Sequence, residues 1–336
     1  MNGIYFIAEI GVNHEAKIES AFKHIIAAKK GGAQAIKLQV YKAEKIVSKY
    51  AKAYWDKSVE KEDSQMKLYK KLDKFELSDY EKIYKFCKKI KIDFLITPFD
   101  LDSIDFFKKK VNYFKISSSD ITNYALLNKI ASTKKKIILS TGASTKNEIK
   151  NAIKILKKTN NKICLLHCIL NYPTKIYNAN LNMIDDIKKF GYEVGLSDHT
   201  LPSDSHKVLP IAYAKGVRII EKHFTLNKRK KGNDHFHSFD KNDLLKFFRN
   251  INNLKKILGS ENKTFIKSEI ISRKNARRSI FYKKNLRKGH TIRKEDLIML
   301  RPNIGVCASK IDLVIGKKIK VNRKKNGILR FSDLKK

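Results

Sequence analysis

The chain has 336 residues, of which 42% are hydrophobic, and this is enough for one large domain with its own core and a second, smaller domain. No segment reaches about 18 consecutive apolar residues, which argues against a membrane-spanning helix, and the first residues lack the basic and apolar regions of a signal peptide. A cytoplasmic protein is therefore expected.

The formal net charge of +40 raises the question of a nucleic-acid-binding protein. The cations are mostly lysines, spread over the whole chain as KK and KKK groups on predicted helices and loops. No stripe that combines arginine with aromatic residues stands out, so solvated surface charge is the favoured explanation, and neither nucleic acid nor membrane is expected as a partner. A basic nucleic-acid-binding protein remains the alternative from a different class.

Eight short segments rich in Ile, Val, Phe and Leu recur along the chain, with amphipathic helical patterns between them. They are YFIAEIG (5–11), AIKLQVY (35–41), DFLITPF (93–99), YFKISSS (113–119), KIILSTG (136–142), KICLLHC (162–168), EVGLSDHT (193–200) and RIIEKHFT (218–225). Strands that alternate with helices predict a parallel sheet, and the number eight favours a closed (β/α)8 TIM barrel.

Two segments interrupt this regular alternation. Residues 42–92 are too long for a simple connection, and we predict a helix and an irregular stretch (KAYWDKSVEKEDSQMKLYKKL, 52–72) that forms a lid or rim. The composition then turns polar after the helix 243–259. The predicted domains are a barrel of residues 1–260, a linker of residues 261–278 and a small, glycine-punctuated module of residues 279–336.

Polar side chains stand at or just after the end of every predicted strand, where TIM barrels carry their active sites. They are Glu9, Asn13, His14, Lys37, Gln39, Thr97, Lys115, Ser118, Asp120, Ser140, Thr141, His167, Tyr172, Ser197, Asp198, His199 and His223. Any one of them alone is more simply a hydrogen-bonded core residue. A purely structural role for all of them is a poor explanation, because burial of a polar group without a partner costs several kcal/mol.

Two subsets of these residues indicate chemistry. Lys37 and Lys115 lie inside apolar strands, so each needs a counter-charge: either an anion such as phosphate or carboxylate held between them, or a nearby Asp or Glu. His199 and His223 end neighbouring strands, and two imidazoles with open positions suit a divalent metal that acts as a Lewis acid.

The order of the motifs resembles that of the N-acetylneuraminate (sialic acid) synthase family, which includes legionaminate and pseudaminate synthases. The matching motifs are AEIGVNHE (8–15), KLQ (37–39), TPFD (97–100), KISSSDITN (115–123), LSTGAS (139–144), LLHCILNYPT (165–174), GLSDHT (195–200), EKHFTL (221–226) and GNDH (232–235). The tail KKNLRKGHTIRKEDLIMLRPNIG (283–305) resembles the C-terminal antifreeze-like (SAF) domain of that family, a small β-rich domain.

This resemblance implies an enzyme that condenses phosphoenolpyruvate with an N-acylated amino-sugar aldehyde and water, and releases phosphate by C–O cleavage. It implies a Mn²⁺ or Mg²⁺ ion on His199 and His223, with these histidines, Glu9 and Asp120 as the catalytic residues. The implied phosphoenolpyruvate contacts are Lys37, Lys115, Ser118, Ser140 and Ser197. The implied sugar contacts are Gln39, Thr97, Phe99, Tyr172 and Asp234.

The resemblance also implies a homodimer in which Arg301 of the partner subunit reaches over the barrel and binds the acyl group. The chain departs from the family's usual motifs at Ile96, Ala143, Leu170, Asn233 and the NIGV segment 303–306. These departures leave the identity of the acceptor sugar open. Another barrel aldolase or lyase, with Lys115 as a Schiff-base lysine, is the alternative within the enzymes.

Overall fold

The computed structural model describes residues 3–335 except residues 56, 59, 160, 161 and 233, so the departure at Asn233 lies outside the described residues. The chain divides into two compact units, of which the first ends at Leu258 and the second begins at Gly259. The first unit is a closed barrel of eight parallel strands in sequence order, which confirms the predicted TIM barrel. The strands are β1 (Tyr5–Gly11), β2 (Ala35–Val40), β3 (Asp93–Pro98), β4 (Tyr113–Ile116), β5 (Lys136–Ser140), β6 (Ile163–Cys168), β7 (Glu193–Asp198) and β8 (Ile219–His223).

At least one α-helix follows each strand of the barrel. The helices are α1 (Ile18–Gly31), α2 (Ala43–Ile46), α3 (Gln65–Leu72), α4 (Leu77–Lys89), α5 (Leu101–Phe107), α6 (Tyr124–Ser132), α7 (Lys146–Leu156), α8 (Met183–Lys188), α9 (Pro202–Ala214) and α10 (Lys241–Leu258). Among the described residues, none of the helices is long and apolar enough to cross a lipid bilayer.

The alternation of side chains along each strand separates the site from the core. Residues two apart on a strand share a face, so Glu221 and His223 point into the barrel while Lys222 between them points outward. Lys222 is fully buried and pairs with Asp198 at 3.0 Å. Below the site the interior is filled by a small apolar cluster of Ile7, Ala35, Leu95, Ile138, Cys164 and Leu166.

The connection between β2 and β3 holds more helix than the sequence indicated. The stretch predicted as irregular contains α3, whose first turn is capped by the Ser64 hydroxyl as it accepts a hydrogen bond from Lys67 N at 3.2 Å. None of its eight residues is fully buried, and the helix is shorter than the window of about 11 residues over which helical periodicity is read. Among the described residues of the segment 47–64 before it, none belongs to a helix or strand.

The second unit has its own buried core. Its strands β9 (Ser279–Tyr282) and β10 (Leu297–Leu300) form an antiparallel pair, and isolated antiparallel bridges connect much of the remainder. Tyr282 is the largest fully buried side chain, and its hydroxyl donates to Asp333 at 3.1 Å. A short helix, α11 (Ile270–Ala276), occupies part of the segment predicted as a linker, and none of its residues is buried.

Candidate active site at the carboxyl ends of the strands

Two buried lysines and two buried carboxylates form the floor of the site. Lys37 Nζ lies 2.6 Å from Glu9 Oε2 and 3.9 Å from Glu221 Oε2. Lys115 Nζ lies 3.4 Å from Glu221 Oε1. The strand register explains the grouping, since Glu9 is the partner of Lys37 on one side and of His223 on the other. Both lysines therefore have a carboxylate counter-charge, the alternative that the sequence left open beside a bound anion.

Hydroxyl groups complete the contacts of these charged groups. Lys37 donates to Thr97 Oγ1 at 2.9 Å and Lys115 donates to Ser140 Oγ at 2.7 Å. The Ser197 hydroxyl donates to Glu221 at 2.9 Å, and Ser118 Oγ accepts from Gly142 N at 2.9 Å. These side chains line an inner cavity, together with Gln39, Phe99, Cys168, Tyr172 and the two predicted metal ligands.

The pKa values of Glu9 and Glu221 differ because the two carboxyl groups have different surroundings. Burial on its own would raise the pKa of Glu221, but Lys115, Lys37 and the Ser197 hydroxyl lower it to about 2. Burial raises the pKa of Glu9 above its usual value, although Lys37 opposes the shift. Glu221 is thus the ionised partner of the lysines, and Glu9 is the carboxyl group better suited to carry a proton.

Three imidazoles and one carboxylate gather at the end of β8. The ring centroids of His199 and His223 lie 5.5 Å apart, and those of His223 and His237 lie 4.8 Å apart. His223 Nδ1 is 3.2 Å from Asp234 Oδ2. His199 Nδ1 is hydrogen-bonded to Ile169 O at 2.8 Å, which leaves Nε2 for another ligand.

This donor set fits a divalent metal. A metal-binding histidine usually donates its second ring N–H to a backbone carbonyl, as His199 does to Ile169. In the described part of the chain, both ring nitrogens of His237 are buried and have no hydrogen-bond partner, and Asp234 Oδ1 lies 4.0 Å from its Nε2. Buried polar atoms of this kind are rare unless water or an ion satisfies them.

A second, outer cavity opens beyond the first. The two cavities share Gln39, Tyr172 and His223 as lining residues. Asp234 lines the inner side of the outer cavity, and the rest of its wall is largely aromatic and apolar. The predicted rim supplies part of that wall, with Tyr54, Trp55, Glu60, Leu68, Tyr69 and Leu72.

Several predicted polar residues lie elsewhere. Asp120 sits in a short 3-10 turn after Ser118 and is absent from the described residues that line the inner cavity, and burial raises its pKa. His167 bonds to Ala179 O at 2.8 Å, and Asp198 accepts from Ser205 at 2.6 Å, so both have structural partners. Arg301 is an exposed residue of the second unit, and its predicted role stays a prediction.

Two prominent site residues were not predicted from the sequence. Glu221 belongs to the motif EKHFTL, and its spacing of two residues from His223 could have placed it on the inner face of β8. His237 lies in the loop after β8, where no periodicity indicates the direction of a side chain. The only indication in the sequence was that His237 stands three residues after Asp234.

Comparison with known proteins agrees with this architecture. Residues 24–263 match the model of the NeuB family, and residues 277–335 match that of the SAF domain. The chain is 36% identical to N,N'-diacetyllegionaminic acid synthase of Legionella pneumophila, over 95% of this chain and 91% of that protein. It is 30% identical to pseudaminic acid synthase of Helicobacter pylori, over 98% of this chain and 97% of that one.

A solved structure gives the same result. It is the N-acetylneuraminic acid (sialic acid) synthetase of Leptospira borgpetersenii, crystallised in complex with citrate. The two chains are 31% identical with a TM-score of 0.71, and the match covers 81% of this chain and 90% of that one. Buried ionisable groups at the carboxyl ends of eight parallel strands define a barrel enzyme. The chain belongs to the NeuB family and carries a SAF domain at its C-terminal end.

Proposed function

We propose that this enzyme condenses phosphoenolpyruvate with the open-chain aldehyde of an N-acylated amino sugar and water to give a nonulosonic acid and phosphate. A bond forms between C3 of phosphoenolpyruvate and the aldehyde carbon, whose oxygen takes up a proton. Water adds at C2 and loses a proton. As the bond from C2 to the bridging oxygen breaks, the hydroxyl at C2 becomes the keto group, and its proton and the bridging oxygen leave with inorganic phosphate.

The observation that carries the proposal is the pair of lysines in the inner cavity. Lys37 and Lys115 are both almost fully buried, and the hydroxyls of Ser118, Ser140 and Ser197 line the same space. Ammonium and hydroxyl groups that converge from different strands suit the carboxylate and phosphate of phosphoenolpyruvate. In the absence of substrate, the carboxylates of Glu9 and Glu221 hold these lysines in place.

The acceptor sugar is proposed to occupy the space where the two cavities meet. Gln39, Tyr172 and Asp234 would bind its hydroxyl groups, with Thr97 and Phe99 nearby, and the aromatic rim has room for acyl substituents. The acceptor is either N-acetylmannosamine or a 2,4-diacetamido-6-deoxyhexose. We also propose a homodimer in which Arg301 of the partner subunit binds an acyl group. The cytoplasmic location stays a prediction.

The residues of this chain then have distinct tasks. His199 and His223 would hold a Mn²⁺ or Mg²⁺ ion, which would supply Lewis-acid polarisation of the aldehyde carbonyl when bound. Lys37 and Lys115 hold the anionic substrate in a fixed orientation, which lowers the entropic cost of bringing two substrates together. Glu9, whose pKa is raised by burial, accepts or donates a proton near the reacting carbons. Asp120 is absent from the described lining of the inner cavity, and its catalytic role stays a prediction.

The test measures phosphate release from phosphoenolpyruvate with a small panel of acylated amino sugars. Phosphoenolpyruvate labelled with ¹⁸O at the bridging position should give labelled phosphate, because C–O cleavage sends that oxygen to phosphorus. Label that remains in the sugar acid, or phosphate release that is independent of the sugar, would contradict the proposal.

A second candidate has one observation in its favour. Burial lowers the pKa of Lys115 below its usual value even though Glu221 opposes the shift, and a lowered pKa is what a Schiff-base lysine requires. An aldolase or lyase that acts on a phosphorylated substrate through Lys115 is therefore the competing reaction. Covalent trapping, described in the Discussion, separates the two.

A further inference from the structure

His237 is a buried polar side chain of the first unit to which the proposed reaction gives no task. It is fully buried, and neither ring nitrogen has a hydrogen-bond partner among the described residues. An imidazole must lose its hydration to be buried, and two unsatisfied nitrogens in one ring are costly. The ring lies in a pocket of other donor atoms, which suggests what compensates this cost.

The backbone fixes this ring beside the end of β8. Phe239 N donates to His223 O at 2.8 Å and Thr225 N donates to Phe239 O at 2.8 Å, so the loop returns in register along the strand. Asn13 Nδ2 donates to Ser238 Oγ at 3.0 Å and secures the residue next to His237. The position of the imidazole is therefore set by the fold.

The donor atoms around His237 form a set of metal-binding size. One ligand atom each from His223, Asp234 and His237 can be chosen so that all three lie within 4.8 Å of one another. Two nitrogen ligands of one ion at about 2.1 Å can be at most about 4.2 Å apart, so side-chain shifts of under about 1 Å would bring the set into coordination.

We propose that His237 is a metal ligand and completes, with His223 and Asp234, a two-histidine, one-carboxylate set for a divalent transition metal. The inference rests on the proposed function, because it concerns the metal of the same site and shares His223 with it. It also gives Asp234 a task besides the predicted contact with the sugar. A set with two imidazoles favours Co²⁺, Zn²⁺ or Fe²⁺ over Mg²⁺, which prefers oxygen ligands.

The test uses Co²⁺ alone as the probe, in the metal-stripped full-length enzyme without substrates. His237→Gln removes the imidazole, and His235→Gln is the matched control, because His235 is equally buried in the same loop but its Nδ1 is 2.7 Å from Thr225 Oγ1. Loss of an outer-shell partner already costs about 10- to 100-fold in metal affinity, so His237→Gln should weaken Co²⁺ binding by more than about 10-fold. The control should bind as the wild type does.

Equal Co²⁺ affinity of wild type and His237→Gln would overturn the inference. If that variant fails to fold, anomalous scattering from Co²⁺ in crystals of the wild-type enzyme decides instead. A Co²⁺ ion about 2.1 Å from a His237 nitrogen supports the inference, whereas an ion held by His199 and His223 with His237 beyond about 3 Å overturns it. Both readouts are independent of turnover, so absence of synthase activity with intact Co²⁺ binding would count against the proposed function alone.

Discussion

Ser197 and Glu221 face each other as register partners of β7 and β8, and the Ser197 hydroxyl donates a 2.9 Å hydrogen bond to the Glu221 carboxylate. The same carboxylate oxygen lies 3.4 Å from Lys115 Nζ. A hydroxyl and an ammonium that are both proposed to bind substrate are thus oriented by one buried acid. The ionised Glu221 therefore balances part of the positive charge of the buried lysines before any substrate enters the barrel.

Glu221→Gln should destabilise the barrel without changing its shape. The amide can still accept from Ser197, but the lysines lose part of their counter-charge, and removal of one partner from a buried ion pair costs about 3 kcal/mol or more. The measurement is urea unfolding followed by the fluorescence of Trp55, the single tryptophan of the chain. Glu193→Gln, at an exposed position where β7 begins, is the control and should change stability by less than about 0.5 kcal/mol. Equal stability of Glu221→Gln and wild type would mean that the ion pairs are not what holds the lysines.

Asp243 predicts an acid-sensitive contribution to stability. Its carboxylate lies 2.6 Å from Lys228 Nζ and 3.4 Å from His206 Nε2. Burial alone would raise its pKa, but the contacts with His206 and Lys228 hold the pKa well below the usual 3.8. A lowered folded-state pKa stabilises the fold above the unfolded value, and this contribution is lost as the pH falls below about 4.

The measurement for Asp243 compares the unfolding free energies of Asp243→Asn and wild type as a function of pH. The wild type should be the more stable of the two at pH 7, and the difference should shrink as the pH falls from about 5 toward 2. Asp102→Asn, at an exposed position of α5, should show no such trend. A difference that stays constant with pH would show that the contacts of Asp243 do not depend on its charge.

The barrel could be predicted from the sequence because its eight strands repeat one pattern. Each has a buried apolar run bounded by a helix, and the β1 and β8 segments carry Glu9 and His223 at the same height. The helix α3 was not predicted, because its eight residues are shorter than the window of about 11 residues over which helical periodicity is read. The partners of Lys37 and Lys115 could not be predicted either, because they depend on which strands are neighbours in the closed sheet.

The loop after β8 is the part of the site that could be predicted least well from the sequence. Asp234 was predicted from its motif, but His237 was not, because a loop has no period that assigns side chains to faces. Only the return of the chain at Phe239, which bonds to His223 O, places the third histidine beside the second. Asn13 was singled out from its place after β1, and its hydrogen bonds to Phe224 O and Ser238 show that it organises this loop.

Lys115 should not form a covalent adduct with substrate. In the proposed reaction it binds an anion through its charge, whereas a Schiff-base enzyme would use its neutral amine as nucleophile. The wild-type enzyme is incubated with phosphoenolpyruvate and an accepted amino sugar, treated with borohydride and weighed by mass spectrometry. The mass is expected to be unchanged. A reduced adduct that maps to Lys115 would overturn the proposed mechanism in favour of the aldolase.

Arg301→Ala should raise KM for the amino sugar while the dimer stays intact. A hydrogen bond from a charged donor contributes about 1.5–3 kcal/mol, so KM is expected to rise roughly tenfold or more, with a smaller effect on kcat. Steady-state kinetics and light scattering measure the two quantities. Arg287→Ala, at another exposed position of the second unit, should leave KM unchanged. Unchanged kinetics of Arg301→Ala would mean that Arg301 of the second unit does not contribute to sugar binding.

His223→Ala should abolish turnover while the fold is retained. His223 lines both cavities, is the register partner of Glu9 and belongs to the proposed metal set. Its removal should therefore affect polarisation of the aldehyde and not packing alone. Loss of Lewis-acid assistance amounts to several kcal/mol, and kcat should fall by more than about 100-fold. Added Mn²⁺ should rescue the variant poorly, because the ligand and not the ion is missing.

The control for His223→Ala is His24→Gln, since His24 is a buried histidine of α1 that bonds to Ser20 O at 2.7 Å and is absent from the described residues that line the two cavities. It should keep most of its turnover, and the circular dichroism spectra of both variants should match that of the wild type. If His223→Ala retains a kcat near that of the wild type, His223 is not a ligand of a metal ion on which the reaction depends.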